Sequence, residues 1–183
     1  MRNSLLLEPD YVDFVRLNGY LVREKGIRER ERTAPERLRA QHEKGMMVFR
    51  PLITFGCDVR RGHPLGCAVL WETADERFLE VGTVWTHVSY RRKGIQVHMV
   101  DELLELDAAQ GKNLFAISSE RSFGEIVQER GFFRATLENV PHLEGLADSI
   151  GLPRGRIPSS VYRPSSADVV EGERTFYLRF APP

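Results

Sequence analysis

The apolar residues fall into blocks of two different periods. Tyr11, Phe14, Val15, Leu17, Leu21 and Val22 recur at helical spacing behind Pro9 and Asp10, and predict a first helix ended by Gly26. Leu5–Leu7 before it reads as a short edge strand. Thr33 and Glu36 stand at capping-box spacing, with Gly45 at the far end and Leu38 among few apolar residues between; this predicts a second, largely exposed helix. From Met46 the text turns to strand. Met46–Phe49 and Leu52–Phe55 flank Pro51, which predicts a bulge or an edge position. Leu65–Trp71 and Phe78–Thr86 follow as strands, and the short polar connections at 58–64 and 73–77 favour an antiparallel meander.

Helical spacing then returns. Ile95, Met99, Leu103 and Leu106 share a face, and Gly111 is the predicted C-cap. Asn113–Ser118 reads as a buried strand; a helix crosses over before it, so it should run parallel to 78–86. Ser122 and Glu125 form a second capping-box pattern opening a short helix that ends at Gly131, and Phe132-Phe133 starts another extended segment. Pro141–Ile150 is a predicted helix using Leu143, Leu146 and Ile150, closed by Gly151. The stretch 151–166, rich in Pro, Gly, Ser and Arg, is expected to be an ordered loop or a mobile flap, and Thr175–Phe180 a final strand.

Composition narrows the functional classes. A chain of 183 residues suits one domain with a sizeable core. Lys plus Arg and Asp plus Glu each total 26, so the net charge is zero and argues against nucleic acid or an anionic membrane as partner. The alternating Arg and Glu at 28–32 cancel in the same way and read as a solvated helix end or loop. Cys57 and Cys67 lie in apolar, strand-like text and read as buried, reduced thiols. The N-terminus has only three consecutive apolar residues, too few for a signal peptide, and no run approaches a membrane span; a soluble, cytoplasmic protein is expected.

The remaining charge signal is local. Arg91-Arg92-Lys93-Gly94 forms a basic turn between a strand and an amphipathic helix. Such a turn aims free backbone N–H groups and the positive end of a helix dipole at one point, which suits a phosphate or pyrophosphate.

With the order of elements, the segment Tyr90-Arg-Arg-Lys-Gly-Ile-Gln96 resembles the GCN5-related N-acetyltransferase (GNAT) superfamily. Arg91 and Gly94 match its pyrophosphate motif, Gln96 stands where a second small residue is usual, and Gly131-Phe132 matches the end of its closing helix. The resemblance covers about residues 45 to 135. It implies an α+β fold in one domain: a central mixed, mostly antiparallel sheet flanked by helices, with a V-shaped splay between two parallel strands. Residues 1–45 would form a helical N-terminal part, 46–135 the core and 136–183 a divergent C-terminal part.

The resemblance further implies an N-acetyltransferase using acetyl-CoA or another acyl-CoA, without a metal, on a small-molecule or protein amine. Backbone N–H groups of Arg92, Lys93, Gly94, Ile95, Gln96 and Val97 would hold the pyrophosphate, with charge from Arg91, Arg92 or Lys93. The pantetheine arm would pair along Val84, Trp85 and Thr86, with Ser119 near it. Glu80 is the first candidate for the base, by its place on the strand, and His87 the second, because an imidazole titrates near neutrality. A Tyr that often protonates the leaving thiolate is replaced by Val127, and an Asn that often contacts pantetheine by Glu120; Tyr162 and Tyr177 are alternative acids. These departures keep two other functions open: a non-catalytic acyl-CoA sensor, and an acyl-carrier-protein-dependent synthase of acyl amino acids or acyl homoserine lactones, for which the Arg-containing loop 154–163 would be the docking patch. A homodimer through the C-terminal strand is a further alternative. The acceptor is not marked by any motif.

Overall fold

The computed structural model describes residues 9–25, 32–51, 64–153, 156–170 and 172–182. The predicted strand at 5–7, Gly26, the segment 52–55, most of the turn at 58–64, and Cys57 lie outside the described residues.

Two helices come first, α1 (Tyr11–Lys25) and α2 (Pro35–Glu43). Asp10 and Asp13 bond each other's backbone N–H reciprocally at the start of α1. Phe14, Leu17 and Leu21 are its buried stripe, whereas Tyr11 and Val15 are exposed, so the apolar face is narrower than its sequence. The start of α2 differs from the capping-box expectation. Its N-cap is Ala34, with no side-chain cap bond, and Pro35 stands in the first turn. Thr33 lies one residue before that cap, and its carbonyl and hydroxyl oxygens accept from Asn18 of α1, at 2.6 and 3.3 Å.

Strands β1 (Met47–Pro51), β2 (Pro64–Glu72) and β3 (Phe78–Thr86) form the antiparallel meander. The register shifts between Arg50 and Pro51, where proline interrupts the ladder. Helix α3 (Ile95–Glu105) crosses over to β4 (Asn113–Ser118), which pairs parallel with β3. α3 ends at Leu106 in extended backbone, so Gly111 is not its cap. Gly111, at φ 68°, closes the following 3-10 turn and directs the chain into β4.

Then come α4 (Arg121–Gln128), β5 (Phe133–Arg134), α5 (Leu143–Ser149) and β6 (Thr175–Arg179). The cap of α4 is Glu120 rather than Ser122, again without a side-chain cap bond. Ser118 organises the turn instead by accepting from the Glu120 N–H, and Glu125 pairs with Arg121. The sheet order is β1-β2-β3-β4-β6-β5: the final strand inserts between β4 and β5.

Both sheet faces are covered, as the alternation along each strand requires. Val48, Ala68, Leu70, Leu79, Val81, Leu114 and Ala116 face α3 and α4, in one core with Met99, Leu103 and Val127. Met47, Phe49, Cys67, Val69, Trp71 and Trp85 face the other way, against Phe14, Leu17, Leu21 and Leu38 of α1 and α2. Phe115, Phe176 and Leu178 pack on the C-terminal segment with Leu143, Ile150 and Val161. Each Val, Leu, Ile, Phe or Met side chain among them contributes about 1.5–3 kcal/mol of apolar burial. Cys67 is a buried thiol that donates to the Thr83 carbonyl at 3.3 Å.

Candidate active site at the divergence of β3 and β4

β3 and β4 pair at three positions, Phe78 with Asn113, Leu79 with Leu114 and Glu80 with Phe115. Beyond Glu80 they part. β3 stays with β2, and β4 stays with β6 through Ser118. A slot of about 60 Å³ opens between them, lined by Val81, Gly82, Thr83, Val84, Ile117 and Phe123 among others. Thr83 has φ +50°, opposite the register shift between Cys67 and Val69, and so forms a bulge in β3. A β-branched residue there costs about 1–3 kcal/mol of strain. The bulge is held by Cys67 on the Thr83 carbonyl and by the Trp71 indole N–H on the Thr83 hydroxyl, at 3.0 Å.

The slot leads to a cleft of about 820 Å³ between the end of β3, the turn before α3 and the first turns of α4. Arg92 at φ 61° and Gly94 at φ 75° curl the turn, and Gly94 caps α3 without a side chain. The opening N–H groups of α3, at Ile95, Gln96 and Val97, have no intrahelical partners and meet the cleft with the positive helix end. Thr86 lines the cleft too; it is 6% exposed, and its hydroxyl oxygen has no hydrogen-bond partner among the described residues.

Of the residues marked from sequence, Val84, Trp85, Thr86, Arg91, Arg92, Gly94, Ile95, Gln96 and Val97 line the cleft. Lys93 and Ser119 are not in its lining, and the Lys93 ammonium lies 5.1 Å from the Tyr90 ring centroid. His87 sits among Tyr20, Trp85 and Tyr90, and its Nδ1 accepts from the Ser89 N–H at 3.3 Å, capping the 3-10 turn. Glu80 points to the α1/α2 side of the sheet and pairs with Arg32 at 2.7 Å. Neither alternative tyrosine reaches the cleft lining: Tyr177 is buried beneath α4, where burial pushes its hydroxyl up, and Tyr162 donates to Glu144 at 2.8 Å. Val127 is fully buried.

The cleft also contains Glu24, Tyr90, Arg121 and Glu125, which no motif marks. Glu24 accepts from the Trp85 indole at 2.8 Å and from Arg91 at 2.6 Å. That α1 reaches the basic turn is a tertiary fact with no local signal. In the C-terminal loop, Arg163 pairs with Glu173 at 2.9 Å; Arg154 lies outside the described residues. Among the described residues no group of three or more His, Cys, Asp or Glu could hold a metal, and no helix is long and apolar enough to cross a membrane.

A strand pair that parts over a phosphate-type turn at a helix start defines an acyltransferase-like fold. Residues 20–122 match the family model for the acetyltransferase (GNAT) family, and the chain belongs to that family. Solved structures share the fold. Rv2747 from Mycobacterium tuberculosis, in complex with CoA, superposes with TM-score 0.54 at 16% identity, covering 94% of this chain and 96% of its own. Diaminobutyrate acetyltransferase EctA from Paenibacillus lautus, in complex with L-2,4-diaminobutyric acid and coenzyme A, gives 0.53 at 13%, covering 93% and 91%. A GNAT-family acetyltransferase from Staphylococcus aureus gives 0.52 at 13%, covering 94% and 96%. No curated protein matches the sequence.

Proposed function

We propose that this acetyltransferase moves an acyl group from an acyl-CoA to an amine by direct attack, within one domain spanning residues 1–183. The observation that carries the reading is the continuity of the two cavities: the slot beyond Glu80 runs into the cleft at the start of α3, with Val84, Gln96 and Glu120 lining both. A long donor with a phosphorylated end and a thioester end needs that shape.

The residues fit such a donor. The α3 N–H groups and the guanidinium groups of Arg91 and Arg92 suit a pyrophosphate, and the orphaned Thr86 hydroxyl supplies a hydrogen bond beside it. Strand backbone beyond the Thr83 bulge orients the thioester for attack, and positioning supplies much of the rate. Glu80 is the proposed proton acceptor for the amine. His87 is the weaker candidate, because its Nδ1 is committed to Ser89. With Val127 in place of the usual Tyr, the sulfur leaves as thiolate; a thiol of pKa about 8.5 needs little help from an acid.

Titration calorimetry with acetyl-CoA, together with thiol release over a panel of amines, tests the reading. Binding and release support it. Absence of binding at millimolar acetyl-CoA overturns it, and binding without release of thiol to any amine favours a sensor on the same fold.

A further inference from the structure

Gly82 lines the slot between β3 and β4 with its backbone. On its other side a Cβ would lie 3.0 Å from Trp71 Cδ1, 3.1 Å from an Arg32 guanidinium nitrogen and 3.3 Å from Glu80 Oε1. The Arg32–Glu80 ion pair is therefore one backbone thickness from the slot. The guanidinium is 5.0 Å from the Trp71 ring centroid, and the two side chains keep 25% and 21% of their surface exposed, so a small molecule can reach them. The cleft at the start of α3 leads in past the far end of β3, from Val84 to Thr86, and not past Arg32 or Glu80. An attacking amine is left the face that carries this pair.

On that basis, and resting on the acyl-transfer reading above, we propose that the acceptor is a small amino carboxylic acid, recognised by partner exchange at Arg32 and Glu80. Its carboxylate takes the guanidinium and its ammonium takes the Glu80 carboxylate. The exchange leaves every charge paired. A plain amine would occupy Glu80 and leave Arg32 without its carboxylate, an unfavourable state for a half-buried charge. The same exchange frees the lone pairs of Glu80 that Arg32 holds in the resting protein.

The ammonium then gives one proton to Glu80, and the neutral nitrogen attacks the thioester carbonyl of the acyl-CoA. An N–C bond forms, the C–S bond breaks, and its electron pair leaves on sulfur as thiolate. The nitrogen's surplus proton passes to solvent, Glu80 returns its proton to solvent, and the thiolate takes one up. The products are an N-acyl amino acid and CoA.

The test uses the full chain with acetyl-CoA and measures thiol release with the proteinogenic amino acids, each beside its decarboxylated amine. For at least one pair, kcat/KM for the amino acid should exceed that for the amine by about 10- to 100-fold, the worth of one charged hydrogen-bonded contact. Arg32→Gln should raise KM for the amino acid by a similar factor, shrink or abolish its advantage over the matching amine, and be partly rescued in Arg32→Lys. Equal use of amino acids and amines, or equal loss for both in Arg32→Gln, overturns the inference and leaves acyl transfer standing. Release with neither class, despite bound acetyl-CoA, overturns both.

Discussion

Glu24, near the C-terminal end of α1, accepts a 2.6 Å hydrogen bond from Arg91 in the turn before α3. The same carboxylate oxygen accepts from the Trp85 indole. The helix that packs on the sheet's other face is thereby tied to the basic turn. The contact places a negative charge in the cleft lining and occupies a guanidinium there.

On the proposed reading, Glu24 competes with the pyrophosphate for Arg91. Glu24→Gln keeps an oxygen for the indole N–H and removes the charge. It should tighten CoA binding by about 3- to 10-fold at low salt, with the gain shrinking as salt rises. Calorimetry at two ionic strengths reads this. Weaker binding in the variant would mean that Glu24 instead holds Arg91 in place for the phosphate.

Gly94 is open in space, with His98 as the nearest contact at 3.9 Å, but its φ of +75° is unfavourable for any other residue. Gly94→Ala should cost about 1–2 kcal/mol of stability from backbone strain alone, measured by urea unfolding. Gly94→Glu adds a carboxylate beside the proposed phosphate position and should abolish CoA binding in calorimetry.

Gln96 lines both the cleft and the slot, so on the proposed reading its side chain stands at the junction through which the donor reaches the slot. A slot of about 60 Å³ suits a short acyl group. Acetyl-CoA should be preferred over hexanoyl-CoA, and Gln96→Ala should reduce that preference at least threefold. Donor competition assays read the ratio; an unchanged ratio would remove Gln96 from acyl selection.

Gly124 lies inside α4, where alanine ordinarily adds about 1 kcal/mol of helix stability. Here a Cβ would come within 2.1 Å of the Tyr177 hydroxyl and 2.7 Å of its ring, and Tyr177 is 1% exposed. Overpacking costs about 1–3 kcal/mol and should win. Gly124→Ala is expected to lower the urea midpoint, and Gly124→Ala with Tyr177→Phe to recover part of it.

Asp101 on α3 accepts from Arg130 at 2.5 Å, and this bond holds its carboxyl below the ordinary range, with His98 adding to the effect. Arg130 is raised by the same pair, so both partners agree in sign. A depressed carboxylate stabilises the fold above its unfolded value of about 4, and that contribution is lost as pH falls through the lower folded value. The aspartate side chain is 44% exposed, so screening limits the effect to less than about 1 kcal/mol. Asp101→Asn should lower Tm slightly at pH 7, with the difference closing below about pH 3.

Much of the sheet was legible because apolar residues at period two carry their own face assignment. Leu79 and Val81 against Glu80 and Gly82 separate the two faces of β3 without any partner in view. The parallel pairing of β3 and β4 followed from the crossover helix. Helix starts were less legible. Thr33 and Ser122 stand at capping spacing, but Asn18 takes the first and the second is already the second residue of α4. A capping motif is a local offer that long-range hydrogen bonds can outbid.

By itself, the sequence determined the basic turn at 91–94 with its glycine, the strand before it and the amphipathic helix after it, because backbone sterics and local periodicity need no distant partner. Only the tertiary structure decided what surrounds that turn. The insertion of β6 beside β4, the slot beyond Glu80, the bulge at Thr83, and the contacts of Glu24 with Arg91 and Arg32 with Glu80 all join residues far apart in the chain. Such pairings depend on packing energy and on the cost of closing long loops, neither of which is written in any short stretch of residues.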